Sequence, residues 1–204
     1  MSRLSENPLT SAADSANQPE FTREQRKILL KIAHAAIASA LVGDQLPDSL
    51  PASLAAFPAL AEPHGVFTTL YLDGELRGCV GYPLPTHPLF RAVAETARAA
   101  AFEDSRFWPV TPEEALRLKI SLSILSPLFP ITAGEVEIGR HGLLISEGLR
   151  RGLLLPQVPV EHGWDRETFL AQTCHKAGLP LHAWRRSASL EAFTAEVFGD
   201  DDAL

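Results

Sequence analysis

The chain has 204 residues, of which 46% are hydrophobic and 21% are charged, a balance typical of one globular domain or of one domain with two subdomains. The formal net charge is −7 and no basic face is evident, so we do not expect nucleic-acid binding through phosphate contacts. No apolar run approaches the roughly 18 residues that a membrane-spanning helix needs, so we expect no membrane segment.

Both ends of the chain are predicted to lie outside the folded body. Residues 1–20 are rich in Ser, Asn, Ala and Pro and lack the basic start and apolar core of a signal peptide, a composition typical of a disordered tail. Residues 200–204 are predicted to form an acidic tail. A single domain with two subdomains is expected over residues 21–199.

The cysteine count is two, and the residues are Cys79 and Cys174. Without a secretory signal, this count favours a reducing cytoplasm over a disulfide scaffold. The cysteines lack C-x-x-C spacing and the seven histidines are scattered, so we expect no metal site. Cys174 lies on the apolar face of a predicted helix and is interpreted as a buried packing thiol, although a redox pair with Cys79 remains open.

The first predicted element is an amphipathic helix. Thr22 and Gln25 form a capping box at its start, hydrophobic residues recur behind the box at helical spacing, and Gly43 ends the helix. Residues 45–64 contain four prolines and are interpreted as a connector with room for one short helical turn.

Residues 65–81 predict a β-hairpin. A β-branched and aromatic run is followed by Asp73 and Gly74, which together are the strongest short hairpin signal, and a second strand starts at Glu75.

With a two-residue loop, Leu70 is predicted to face Arg77, and Thr68 to face Cys79. A one-residue change in loop length would scramble this pairing. The core face is then expected to carry Phe67, Tyr71, Leu76 and Val80, and the other face Thr68, Leu70, Arg77 and Cys79.

The middle of the chain carries helix and strand signals in turn. Pro88 opens a helix that ends near Phe102, and a dense polar and aromatic loop follows over residues 103–109. A capping box that begins at Thr111 starts another helix, and strict alternation over residues 119–125 predicts a half-buried strand.

A second hairpin is predicted near residue 150. Its strands cover residues 142–146 and 152–155 around a turn at residues 147–148, and the proline-rich segment 156–159 breaks the second strand off.

Asp165 caps a further helix that Gly178 ends, and residues 193–198 are predicted to form the last strand. No internal repeat and no strict strand–helix–strand alternation is present. We therefore predict an α+β fold with a mainly antiparallel sheet flanked by helices.

The sharpest candidate for chemistry is residues 76–81, with the sequence LRGCVG. A thiolate is the reactive form of cysteine and a nearby cation lowers the pKa of a thiol, so Arg77 is the candidate activator of Cys79. Gly78 and Gly81 would let a backbone or a ligand approach closely. Alternatively, Cys79 is a small buried hydrophobe, Arg77 forms a structural ion pair and the glycines mark a bulge. The residues alone leave both interpretations open.

Other polar side chains are candidates for ligand contacts. Asp104 and Arg106 could serve a cleft, or could pair with each other and fix their loop. Gln157 lies between two prolines, and Lys176 lies near a helix C-terminus, where dipole effects alone favour a cation. Thr68 is a further candidate for ligand contacts, because the predicted register places it directly opposite Cys79.

Three arginines, Arg140, Arg150 and Arg151, form a small basic group. A solvated surface is the favoured interpretation of this group, and a local anion site is the alternative.

Six ordered segments resemble the AMMECR domain family, also called protein A of the AmmeMemoRadiSam system. Val80 stands where isoleucine is more usual in that family, and Ser105 where proline is common. The resemblance covers about residues 21–198. The segments are 65–70 (GVFTTL), 76–81 (LRGCVG), 104–107 (DSRF), 120–123 (ISLS), 151–158 (RGLLLPQV) and 174–179 (CHKAGL).

The resemblance implies a two-lobed α+β domain whose cleft is lined by residues 76–81, and it implies a radical SAM protein and a Memo-like protein as associates. It implies no settled reaction and leaves the cofactor requirement open. One hypothesis is an enzyme or enzyme component with Cys79 as nucleophile or covalent acceptor, and with Arg77 lowering its pKa or holding an anion. The other is a binding or scaffold component that recognises a partner protein or a small anionic ligand.

Overall fold

A computed structural model of the chain describes residues 20–44 and 56–202, so most of the predicted N-terminal tail and part of the proline-rich connector lie outside the described residues. The helices are α1 (Arg23–Leu41), α2 (Leu89–Phe102), α3 (Pro112–Ala115), α4 (Gln157–Glu161) and α5 (Arg166–Lys176). The strands are β1 (Gly65–Leu72), β2 (Glu75–Tyr82), β3 (Lys119–Leu125), β4 (Phe129–Pro130), β5 (Gly142–Glu147), β6 (Arg150–Leu154), β7 (Ser189–Phe193) and β8 (Ala195–Gly199).

These elements form an α+β fold with two antiparallel sheets, which confirms the predicted class. The strand orders are β2-β1-β3-β8 and β4-β7-β5-β6. The two-lobed shape that the resemblance implies stays a prediction. None of the described helices is long and apolar enough to cross a membrane.

The predicted helix starts are confirmed by their capping hydrogen bonds. Thr22 accepts a hydrogen bond from the backbone N–H of Gln25, and the Gln25 side chain accepts one from the Thr22 N–H. The box that begins at Thr111 is formed in the same way, and Asp165 caps α5 through the N–H of Thr168. Each box satisfies N–H groups that have no partner inside the helix.

The first hairpin turns at Asp73 and Gly74, as predicted. Their φ angles are 53° and 87°, so both loop residues are left-handed, as a type I′ turn requires. Leu72 pairs with Glu75 and Tyr71 with Leu76.

The predicted register of this hairpin is wrong beyond Leu76. Leu70 pairs with Gly78, so Arg77 is the extra residue of a β-bulge, and Cys79 lies opposite Thr69. The two faces of β1 are therefore exchanged relative to the prediction, whereas in β2 Val80 packs on the core and Cys79 lies on the other face, as predicted. The core face carries Val66, Thr68 and Leu70, all fully buried.

The bulge has a physical reason in the packing of α2 on the hairpin. A Cβ atom at Gly78 would lie 2.1 Å from the carbonyl oxygen of Ala100, so glycine must occupy the core-facing position under the helix. Thr68 faces the same helix, and its hydroxyl is 2.8 Å from that of Thr96. A regular strand would direct Arg77 into this contact.

The first sheet has one continuous core, into which α1 and α2 pack. The second sheet has its own apolar clusters, to which α5 contributes Phe169, Leu170 and Cys174. Fully buried members of the first core include Leu29, Leu89, Val93, Ile120, Leu122 and Phe198.

Two local predictions in the second half of the chain are corrected, and the first concerns the second hairpin. Glu147 pairs with Arg150, so the turn residues of the second hairpin are 148–149, one later than predicted. Residues 156–159 end the second strand, as predicted, and begin the short helix α4, because Pro156 has a helical backbone and Gln157 continues it.

The predicted last strand, residues 193–198, is in fact divided between the two sheets. The chain leaves β7 after Phe193 and enters β8 at Ala195. Between them, Thr194 exchanges hydrogen bonds with Ser126, the residue after β3, at 2.9 and 3.0 Å. No glycine or proline marks this crossing in the sequence, which therefore reads as one strand.

The C-terminal residues 200–202 form a 3₁₀ turn against the first sheet. The Asp200 carboxylate accepts the N–H of Ile120 at 2.7 Å and lies 2.9 Å from the His34 ring. The first residue of the predicted acidic tail therefore joins α1 to β3.

Replacing Gly78 by alanine is expected to lower the free energy of unfolding by about 2 kcal/mol, because the new Cβ would collide with a helix carbonyl. Gly134→Ala is the matched control, since a Cβ there meets no atom closer than 4.0 Å, and a change within about 0.5 kcal/mol is expected. Urea unfolding of both variants measures the difference. Equal effects would show that the approach of α2 at this position is not tight.

Candidate functional site

Cys79 lies in β2, the edge strand of the first sheet, and is half-buried. Its side chain points to the face opposite α2, where the Thr69 hydroxyl donates a hydrogen bond to Sγ at 3.4 Å. Cys79 and Thr69 are a directly opposed pair, and such pairs bring side chains close across an antiparallel ladder. A hydroxyl that donates to sulfur favours the thiolate.

The backbone of Cys79 is bound by the loop that follows α2. Its N–H donates to Oδ2 of Asp104 at 2.9 Å, and its carbonyl oxygen accepts from Nη2 of Arg106 at 3.3 Å. Two side chains thus replace a neighbouring strand at this point of the sheet edge.

Asp104 and Arg106 also form a bidentate ion pair. Nε of Arg106 lies 2.9 Å from Oδ1 of Asp104, and Nη2 lies 2.6 Å from Oδ2. This pair holds the pKa of Asp104 well below its usual range, and the N–H of Cys79 adds to the effect. The pKa of Arg106 is raised, mainly by its hydrogen bonds to Asp104. The guanidinium that contacts Cys79 is therefore that of Arg106, and the contact is to the backbone carbonyl oxygen.

Arg77 has a different partner from the one that the sequence indicates. Its Nε and Nη2 lie 3.1 and 2.9 Å from the two carboxylate oxygens of Glu114, and Nη2 also reaches the carbonyl oxygen of Pro109. The side chain is only 13% exposed, and its bonds lower the pKa of Glu114. Arg77 therefore forms a structural ion pair, which was the alternative to its predicted role as the activator of Cys79.

Phe107 lies between the two arginines. Its ring centroid is 6.0 Å from the guanidinium carbon of Arg77 and 5.5 Å from that of Arg106. Both distances fit cation–π contacts. The aromatic ring therefore ties the two ion pairs into one rigid loop beside Cys79.

A cavity of about 470 Å³ is lined by Gly81 of β2, and Cys79 itself is not part of the lining. Gly81 lies two residues further along the same face of β2, about 7 Å away by strand rise, and the Phe67 ring packs on it. The opposite wall comes from the second sheet and the ends of α4 and α5. The lining residues are Phe67, Gly81, Pro83, Leu84, Leu144, Arg151, Gly152, Leu153, Leu154, Leu155, Val158 and Lys176.

The structure brings only some of the candidate residues together. Cys79, Asp104 and Arg106 are in contact, and Lys176 lies across the cavity. Gln157 lines a separate cavity of about 230 Å³. Of the remaining three, Thr68 and Gly78 belong to the core face under α2, and Arg77 is paired with Glu114.

Sequence reasoning missed Thr69, Phe107 and the cavity position of Arg151. Thr69 could not be predicted as the partner of Cys79, because an alternating sequence pattern gives no sign of the extra residue in a bulge. The glycine at position 78 was the available signal.

Cys174 is fully buried, and burial raises the pKa of its thiol, which confirms the prediction of a buried packing thiol. Both cysteines are free thiols. Within residues 20–44 and 56–202, no three His, Cys, Asp or Glu side chains are grouped closely enough to hold a metal ion.

Replacing Asp104 by asparagine is expected to cost about 2 kcal/mol at neutral pH, because charge-assisted hydrogen bonds to a carboxylate that is only 7% exposed are lost. The folded pKa of Asp104 lies below its unfolded value of about 3.9, so this stabilisation is present above that pH and is lost as the pH falls below it. The difference between wild type and variant in urea unfolding should therefore shrink in acid.

Asp73→Asn is the control for this substitution. Asp73 pairs with Arg117 on the surface, where the two side chains are 69% and 58% exposed, so a change within about 0.5 kcal/mol is expected. A constant difference between wild type and Asp104→Asn across the acid range would contradict the assignment.

Comparison with known proteins places the chain in a family. The sequence model of the AMMECR1 family matches residues 30–198. A protein of Thermococcus gammatolerans is 47% identical over 156 residues, which cover 71% of this chain and 76% of the relative. Protein MK0488 of Methanopyrus kandleri is 40% identical over 194 residues, 90% of this chain and 92% of the relative.

A solved structure shows the same fold. The crystal structure of the uncharacterized protein PH0010 from Pyrococcus horikoshii matches with a TM-score of 0.72 and 39% sequence identity, covering 85% of this chain and 90% of that one. These matches confirm the resemblance carried by the six segments. The chain belongs to the AMMECR1 family.

Proposed function

We propose that this protein is an enzyme, or the thiol-bearing component of one, in which Cys79 acts as nucleophile or covalent acceptor toward a molecule bound in the cavity. The observation that supports this most is the Thr69 hydroxyl on Sγ of a half-buried cysteine whose strand runs on into the cavity wall. The resemblance adds the proposal that this thiol-dependent modification is linked to a radical SAM protein and a Memo-like protein.

The proposed step is a displacement at an electrophilic carbon of the ligand. Cys79 releases its thiol proton to solvent, and a sulfur lone pair forms the carbon–sulfur bond. The bond from that carbon to its leaving group breaks, and the leaving group departs with the bonding electron pair. A free thiol persists in a reducing cytoplasm, which is where we place this chemistry.

Each neighbour of Cys79 has a separate part in this proposal. The Thr69 hydroxyl donates to the sulfur and would stabilise a thiolate formed there, and Arg106 holds the carbonyl oxygen of Cys79. Asp104 fixes both Arg106 and the backbone of the cysteine, and is therefore a positioning residue. Arg77 acts indirectly, because its pairing with Glu114 holds the loop in place.

Alkylation of the two thiols tests the proposal. Cys79 is expected to react with iodoacetamide in the folded protein at neutral pH, and fully buried Cys174 only after unfolding. Thr69→Val should slow the reaction of Cys79 by about threefold to tenfold, because it removes one hydrogen bond worth about 0.5–1.5 kcal/mol. Intact-mass measurement against time and pH follows both sites.

Thr86→Val is the matched control, since the hydroxyl of this exposed threonine contacts only the neighbouring His87. It should leave the reaction of Cys79 unchanged. A Cys79 that is inert, or that titrates at or above the free-thiol pKa of about 8.5, would count against the proposed chemistry.

A second candidate function is a binding or scaffold component that does no chemistry. The observation behind it is a pair of strongly exposed apolar side chains, Trp108 at 87% and Leu116 at 89%, on the two sides of α3. Exposed tryptophans are frequent anchors of protein interfaces. The partners that the resemblance implies are the radical SAM and Memo-like proteins.

Pull-down with those two proteins separates the candidates. If recognition is the function, Trp108→Ser should abolish capture and Cys79→Ser should leave it intact, since the thiol is not part of the exposed pair. Val42→Ser, which removes another exposed apolar side chain at the end of α1, is the control. Capture that depends on Cys79 and not on Trp108 would contradict the scaffold hypothesis.

A further inference from the structure

The cavity that Gly81 lines runs along the edge of β6. Five consecutive residues, 151–155, line it. Successive side chains of a strand point to opposite faces, so a cavity over one face would be lined by alternate residues only. Because five consecutive residues line it, the cavity lies along the edge of the strand, where a ligand can contact backbone N–H and C=O groups.

This edge has unpaired backbone groups. β6 is the outermost strand of its sheet, and a two-residue turn makes Glu147 and Arg150 its first hydrogen-bonded pair. Hydrogen-bonded and non-hydrogen-bonded pairs alternate, so Arg151 and Leu153 direct their N–H and C=O groups away from β5. In the part of the chain that the structure describes, no other residue binds these groups.

The facing wall offers a second sheet edge. The outward groups of Cys79 are bound by Asp104 and Arg106, so by the same alternation the groups of Gly81 also point away from β1. The ion pair covers the edge at Cys79 and stops short of Gly81, which lines the cavity. Backbone donors and acceptors thus border the cavity on two sides, as in proteins that bind an extended peptide by strand addition.

The charged residues of the lining are both cations. The side chains of Arg151 and Lys176 have no ion pair or hydrogen bond to any other residue within 20–44 and 56–202. The rest of the lining is almost entirely apolar. A ligand that satisfies all of these groups has a peptide backbone, apolar side chains and one negative charge.

We infer that the cavity binds the C-terminus of a peptide in an extended conformation. The peptide backbone pairs with Arg151 and Leu153, its apolar side chains pack on the lining, and its terminal carboxylate is held by the side chains of Arg151 and Lys176. The inference rests on the proposed function in that it takes this cavity as the ligand-binding part of the Cys79 site. A small amphipathic acid would use the two charges and leave the strand edge unused.

Fluorescence anisotropy with the full chain tests this assignment. The probes are fluorescein-labelled pentapeptides whose last two residues are varied among apolar types, each made as the free acid, as the C-terminal amide, and with the last peptide nitrogen methylated. The free acid is expected to bind at least tenfold more tightly than the amide or the N-methylated form. Decanoate is the competitor that lacks peptide groups, and it should displace the peptide only weakly.

The variant Arg151→Gln/Lys176→Gln should weaken binding of the acid about tenfold or more and leave binding of the amide unchanged. Arg150→Gln is the matched control, because Arg150 lies outside the lining and donates to the carbonyl oxygen of Gly178. It should change neither affinity.

Several outcomes would overturn the inference: no binding of any free acid, equal binding of acid and amide, or no effect of N-methylation. Displacement by decanoate at equal affinity would also overturn it and assign the cavity to small amphipathic acids. Cys79→Ser separates the two proposals, since it should bind the peptides with wild-type affinity. Peptide binding with an inert Cys79 refutes the chemistry alone, and a reactive Cys79 without peptide binding refutes the inference alone.

Discussion

The close approach of α2 to Gly78 is the contact on which the arrangement around Cys79 depends. A helix carbonyl occupies the space where a side chain would be, so glycine must face the helix. The strand accommodates this by an extra residue at Arg77, which is free to reach Glu114. Cys79 is then turned toward Thr69 and the outer face of the sheet, the face on which Phe67 and Gly81 line the cavity.

The two outermost strands that border the cavity have differently protected edges. In β2, the outward backbone groups of Cys79 are bound by the side chains of Asp104 and Arg106. In β6, the outward backbone groups of Arg151 and Leu153 are left open. Exposed edges favour unwanted pairing, and proteins usually cover or charge them. An open edge inside a cavity is sheltered from neighbouring chains and remains accessible to a ligand, and this contrast underlies both proposals.

Much of the fold could be predicted because its signals are local. The capping boxes at Thr22 and Thr111 and the turn at Asp73 depend on residues three or fewer positions apart, and all formed as expected. The candidate site was predicted less well. Cys79 and the loop pair of Asp104 and Arg106 were identified from residue type, whereas their contacts, which join segments about 25 residues apart, were not.

The sequence by itself determined the class of fold, the ends of most helices, the first hairpin turn and the position of the thiol in a strand. Only the tertiary structure decided the partner of each site residue: Thr69 for the thiol, Glu114 for Arg77, and the cavity for Arg151 and Lys176. The reason is that a bulge shifts every later residue of a strand to the other face, and its cause, a carbonyl of Ala100, lies on another element.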